Sequence, residues 1–190
     1  DEIYWRCRGQ DDAPVRATPL LQSISRETSF EPVFDDALQQ HDYVHAMLSY
    51  LVDRAAAELR RVALLCRGIA VRVRHTDGVQ NEKTRTQKVA TDQTGELAAG
   101  ARELLGLLLQ RRVLVRLVGV TLHTLVPRGA SQGELFASAQ GRRGKLFPAI
   151  DAVRARHGFG SLLLGESAAL LGLVPHGPHG FRLRTPSLTK

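Results

Sequence analysis

Aromatic residues are scarce, at 5% of the 190 residues. The core must therefore be built mainly from aliphatic side chains. No stacking aromatics interleave with the basic stretches, which disfavours a surface that reads single-stranded bases or RNA. Cysteine is nearly absent: Cys7 and Cys66 cannot build a disulfide framework, and a reducing, cytoplasmic setting is expected. Neither has a CxxC neighbour, so redox catalysis is not expected. The longest apolar run, around Leu104 to Leu109, falls far short of the ~18 residues of a membrane span, and no membrane partner is expected. The sequence opens Asp1-Glu2-Ile3, without an initiator Met or a secretory signal, and is expected to be a piece of a longer protein. Gly158 and Gly160 do not form a phosphate-binding loop.

What remains is ordinary folding material, 43% hydrophobic and 24% charged, with a formal net charge of +7. That charge is unevenly spread. Residues 1–22 carry three Arg against four acids, residues 23–127 carry fourteen basic against twelve acidic residues, and residues 128–190 carry nine against three. A basic excess of this kind points to a polyanionic partner.

The pattern predicts a strand at 23–31 (SISRETSFE) and a long helix from Leu38 to Val62. Leu48, Leu51, Ala55, Leu59 and Val62 recur there at spacings of three and four, with Asp35 and Asp36 placed for an N-cap. Residues 69–76 alternate Ile69, Val71 and Val73 with Arg72 and Arg74, and Asp77-Gly78 supplies a turn. A second strand follows at 83–90, then a helix from Thr94 with Leu97, Ala101, Leu104, Leu105 and Leu108 on one stripe. A strand at 112–125 closes the unit. The β-α-β-β-α-β order predicts an α+β fold, a four-stranded antiparallel or mixed sheet with two helices on one face, followed by a C-terminal extension.

Within this unit the helix at 35–65 carries three Arg against five acids, whereas the hairpin at 66–91 carries six basic residues against two acids. The expectation is an open sheet face that is basic and a helical side that is acidic, with Arg72, Arg74 and one register of the next strand meeting phosphates. Composition leaves open the alternative that these are solvated strand residues.

The segment SISRETSF, the element order, the hairpin RVRHTDG…KTRTQKV and the closing VRLVGV together resemble the little-finger domain of Y-family translesion DNA polymerases, the bacterial DNA polymerase IV branch in particular. The resemblance implies a domain that grips the template-primer duplex. It places backbone N–H groups of Ser23 and Ser25, and the guanidinium of Arg26, on template-strand phosphates. Arg72, Arg74, Arg85, Lys88 and Arg116 are further phosphate contacts, with Thr84 and Thr86 beside them. It also implies that residues 1–22 end a thumb and form a linker, and that 23–127 form the little finger. The magnesium-dependent palm of a nucleotidyltransferase would lie outside this chain, so the fragment itself is expected to hold no cofactor or metal and to be inactive alone. The rival expectation is a non-catalytic accessory module of a mutasome, from a polymerase-like parent that has lost its palm carboxylates.

Beyond Pro127 the chain reads as a linker (128–144) and an extension (145–190). Gln132-Gly133-Glu134-Leu135-Phe136 resembles the sliding-clamp-binding pentapeptide of bacterial polymerases, with Gln132, Leu135 and Phe136 as the binding residues and Gly133 where a large aliphatic is usual. The partners implied are double-stranded template-primer DNA and a sliding clamp, with the chain itself a monomer. A short amphipathic helix is expected at 145–156, with Leu146, Ile150 and Val153 in phase, ended by Gly158. Whether the extension packs on the domain is left open. His41 and His45, four apart in HDYVH, have the spacing of a zinc pair but no visible third ligand, and are read as solvent-side helix residues.

Overall fold

The computed structural model describes residues 21–29, 37–128 and 140–172, with Tyr4, residues 7–9, 176–177 and 180–181 in addition. Strands β1 (Ser23–Ser29), β2 (Leu64–His75), β3 (Gln80–Thr91) and β4 (Val115–Pro127) form one sheet in the order β1-β4-β2-β3, every neighbouring pair antiparallel. Helices α1 (Ala37–Arg61) and α2 (Thr94–Leu108) cover one face, as the α+β pattern predicts. The last of these four strands is thus inserted between the first and second, leaving β1 and β3 as edges.

The core lies between sheet and helices. Ile69, Val71 and Val73 of β2 and Val118, Val120 and Leu122 of β4 meet Val44, Met47, Leu48, Leu51 and Leu59 of α1 and Leu97, Ala101, Leu104 and Leu105 of α2. Each of these Val, Leu, Ile and Met side chains contributes roughly 1.5–3 kcal/mol on burial. The amide of Gln40, in the first turns of α1, clips onto β4, donating to the Val115 carbonyl at 3.0 Å and accepting from the Val115 N–H at 3.3 Å.

Several boundaries differ from the sequence expectation. β2 starts at Leu64 because Leu64, Leu65 and Cys66 pair with Pro127, Val126 and Leu125. β4 starts at Val115, since residues just before it serve the β2–β3 turn instead. Arg111 is ion-paired to Asp77 at 2.7 Å, and the Val113 carbonyl lies 3.0 Å from His75 Nδ1. The turn itself uses Gly78 at φ +84, where a β-carbon would be strained, with Asp77 Oδ1 accepting from the Val79 N–H. The expected N-cap at Asp35 and Asp36 lies outside the described residues.

Helix α3 (Gln140–His157) begins earlier than expected and runs through Pro148. It and the short 3-10 segments Phe159–Ser161 and Gly165–Gly172 pack on the helical layer, which answers the question the sequence left open. Arg154 forms a bidentate pair with Asp53 of α1 (2.6 and 3.1 Å), the two side chains being 4% and 2% exposed. The same guanidinium donates to the Leu162 carbonyl and lies 4.0 Å from the Phe159 ring centroid. Phe159 packs edge-on to Tyr50, and Leu170 is fully buried in the core. Arg60 forms a second clasp, binding Asp151 of α3 at 2.6 Å while donating to the Asp92 carbonyl and Thr94 Oγ. α1 is therefore buried on two sides, by the sheet and by the extension.

Candidate nucleic-acid interface

Residues directly opposite in an antiparallel pair point to the same side of the sheet. The observed register therefore writes out the face turned away from the helices as four rows. Ser23, His123, Gly68 and Thr86 form the first row, and Ser25, Thr121, Ala70 and Thr84 the second. Glu27, Gly119, Arg72 and Glu82 form the third, and Ser29, Leu117, Arg74 and Gln80 the fourth. Beyond Thr86 the β2–β3 pairing is broken and resumes only at Cys66 and Thr91, so the exposed Lys88 lies outside these four rows. One half of the face is hydroxyl-rich, with Ser25 Oγ and Thr121 Oγ hydrogen-bonded at 2.9 Å. The other half is charged.

Two glycines shape this face. The His123 ring lies over Gly68, and a β-carbon there would collide with the imidazole. A β-carbon at Gly119 would come within 2.9 Å of Glu27 Cβ. Arg72 sits between two carboxylates, with Nε donating to Glu82 at 2.9 Å and Nη1 at 3.6 Å from Glu27. Among the described residues, Arg74 and Lys88 form no ion pair.

The sheet brings together Ser23, Ser25, Arg72, Arg74, Thr84 and Thr86 of the residues expected to meet phosphates, leaves Lys88 exposed on β3 beyond the paired rows, and separates two others from them. Arg26 pairs with Val120 and points under α1; it is 8% exposed, and burial holds its guanidinium below its ordinary range, with Glu58 opposing and Arg54 reinforcing that shift. Its Nη1 donates to the Ser25 carbonyl at 2.8 Å, and its Nε has no partner among the described residues. Arg85 pairs with Ile69 on the helix side and forms an ion pair with Glu103 of α2. The physical reason is the two-residue period of a strand, which gives Arg26 and Arg85 the parity of the core residues. Arg116 stands exposed where the β2–β4 register shifts, between Val115 and Leu117. Gln132, Leu135 and Phe136 lie outside the described residues.

Thr121, His123 and the carboxylates of Glu27 and Glu82 also belong to the open face, and sequence reasoning did not place them there. The alternation of Thr121 and His123 with Val120 and Leu122 was the available signal. Their neighbours across the sheet emerge only from the register. The paired rows of the open face thus carry Arg72 and Arg74 against Glu27 and Glu82, and are less basic than the hairpin's composition implied. Cys66 is a buried core residue whose thiol burial and Asp92 push up to about 12, leaving it chemically quiet. His45 is half-buried rather than on a solvent face; His41 is exposed, and the two rings lie 4.3 Å apart.

Among curated proteins, the DNA polymerase IV of Desulfatibacillum aliphaticivorans is 34% identical over 172 residues, 89% of this chain and 42% of that protein. A DNA polymerase IV of Dehalococcoides mccartyi is 30% identical over 166 residues, 87% of this chain and 41% of that protein. The chain spans about two fifths of the length of these relatives. Among solved structures, a chimera of the Y-family DNA polymerases Dbh and Dpo4 is similar over 66% of this chain and 34% of that one, at 22% identity and a TM-score of 0.47. Residues 21–135, which include the whole four-stranded sheet and its two covering helices, match the impB/mucB/samB family C-terminal domain, and the chain belongs to that family as its little-finger domain.

Proposed function

We propose that this chain is the duplex-gripping part of an error-prone translesion DNA polymerase. Its open sheet face would lie along the phosphate backbones of template-primer DNA, and the peptide at Gln132, Leu135 and Phe136 would dock on a sliding clamp. The observation that carries the reading is the single face on which Ser23, Ser25, Thr84, Thr86, Thr121, Arg72 and Arg74 converge, opposite the helices, with Lys88 exposed farther along β3. Hydroxyls and guanidinium groups on a flat sheet suit phosphate oxygens and carry no base code, which is what a protein handling any template requires. β1 is an edge strand, so every second backbone N–H on it faces away from the sheet and is free to meet a phosphate. Arg85 and Arg26 are assigned supporting roles on the helix side. Nucleotidyl transfer and its magnesium ions belong to a palm outside this chain.

Fluorescence anisotropy of a labelled primer-template duplex, titrated between 50 and 200 mM salt, tests the reading at concentrations where counterion release dominates. Affinity should fall steeply with salt and be independent of sequence. Arg74→Ala with Lys88→Ala should weaken all duplexes alike and reduce the log–log salt slope by about 2, since each phosphate contact supplies about 0.9. Binding that ignores salt, or ignores this double substitution, would remove the open face from the duplex.

A further inference from the structure

Two carboxylates on a surface meant for phosphates are out of place, and their arrangement gives them a role. Glu27 on β1, Arg72 on β2 and Glu82 on β3 stand in one row, with only Gly119 of β4 between Glu27 and Arg72. A side chain at position 119 would fill that space, because even its β-carbon would stand 2.9 Å from Glu27 Cβ. Glycine therefore opens the channel through which the guanidinium reaches Glu27 at 3.6 Å, while Glu82, its direct neighbour on β3, accepts from it at 2.9 Å. All three side chains remain in contact with solvent, at 31% exposure for Glu27, 40% for Arg72 and 44% for Glu82. Arg72 can leave these partners for another anion without any change of backbone.

We propose that Glu27 and Glu82 act as internal substitutes for phosphate, holding Arg72 when the face is empty and competing with DNA for it when the face is occupied. The inference rests on the open-face reading given above and adds a regulatory layer to it. Arg74 and Lys88, without ion pairs among the described residues, supply a constant attraction. Arg72 supplies an adjustable one. The paired rows then carry no net charge in place of the +2 their cations alone would give, counting Arg72 and Arg74 against Glu27 and Glu82, with Lys88 adding its charge from beyond them. A grip limited in this way suits a surface that must release and re-form its phosphate contacts as the duplex advances. Exposed ion pairs of this kind are weak, enough to tune a binding constant and too little to lock it.

The test compares four sets of variants in duplex anisotropy titrations of the whole chain, with thermal unfolding confirming that each is folded. Glu27→Gln and Glu82→Gln, which preserve side-chain length, should each tighten duplex binding roughly twofold to fivefold and steepen the salt slope by up to about 0.9. In an Arg72→Gln background the same substitutions should lose most of that gain. Unchanged or weaker binding by the two Glu→Gln variants would overturn the proposal. So would a gain that persists undiminished without Arg72, because the carboxylates would then merely repel phosphate. Arg74→Ala with Lys88→Ala separates this outcome from failure of the underlying reading. If that pair leaves binding intact, the open face is not the duplex surface; if it weakens binding, the carboxylate results stand on their own.

Discussion

Parity along a strand decides what a single basic residue can do here. Arg26 and Arg72 both sit in alternating strands, yet one is buried beneath α1 and the other stands on the open face. The pattern Ile69, Val71, Val73 made the orientation of Arg72 legible, because the apolar partners on the same strand are unambiguous. In Ser23–Ser29 the only aliphatic residue is Ile24, so the parity of Arg26 had little apolar contrast to reveal it. At the same scale, His45 offers a test of the packing around α1. Burial, then His41 and Arg102, hold its pKa below the ordinary imidazole value, with Asp42 opposing. The unfolded chain therefore takes up that proton first, near pH 6.5. Stability should be fully present above that pH and decline below it, until the folded-state imidazole is itself protonated. Thermal unfolding between pH 7.5 and 5.5 should show this loss, and His45→Gln should flatten it. An unchanged profile would mean that another group governs the acid limb.

The docking of α3 shows how an element can be anchored by charge instead of a long apolar stripe. Its sequence suggested a short amphipathic helix through Leu146, Ile150 and Val153, but Leu146 and Val153 are exposed, and Ile150 alone of the three is buried. The anchors are Arg154 and Asp151, which reach Asp53 and Arg60 of α1. A buried pair of this geometry is hard to break one side at a time, because the survivor is left as an uncompensated charge. Arg154→Ala should therefore cost about 3–5 kcal/mol in urea unfolding, and Asp53→Asn with Arg154→Leu should recover part of that loss. If Arg154→Ala unfolds at the same urea concentration as the parent, the extension is not part of the cooperative unit. The same clasp explains why Asp53 sits mid-helix, at a position a simple amphipathic reading assigns to solvent.

At the scale of the whole molecule, the charge, element order and segment division have separate consequences. The central domain is nearly neutral and divides its charge by face, while most of the basic excess lies after residue 127. Arg128 pairs with Asp92, and its N–H donates to the Ala63 carbonyl at 3.1 Å, so the chain leaves the sheet from a fixed point before the proposed clamp peptide. If Leu135 and Phe136 are apolar anchors of that peptide, Leu135→Ala with Phe136→Ala should abolish capture by a purified bacterial sliding clamp while leaving duplex binding unchanged. Retained capture would assign clamp docking to another surface. No helix among the described residues is long and apolar enough to cross a membrane.

The sequence by itself determined the α+β class, the β-α-β-β-α-β order and the positions of both core helices. Hydrophobic period and turn chemistry are local, and each element announces itself through its own residues. It also carried the family motif at Ser23–Phe30 and the basic hairpin. Only the tertiary structure decided which cations share a face, that Glu27 and Glu82 flank Arg72 across Gly119, and that residues 146–172 form a third layer locked by Arg154 on Asp53. Those facts depend on strand order, register and long-range charge pairing. They join residues as much as 101 positions apart, and no local pattern encodes which of several possible partners a strand or an arginine will meet.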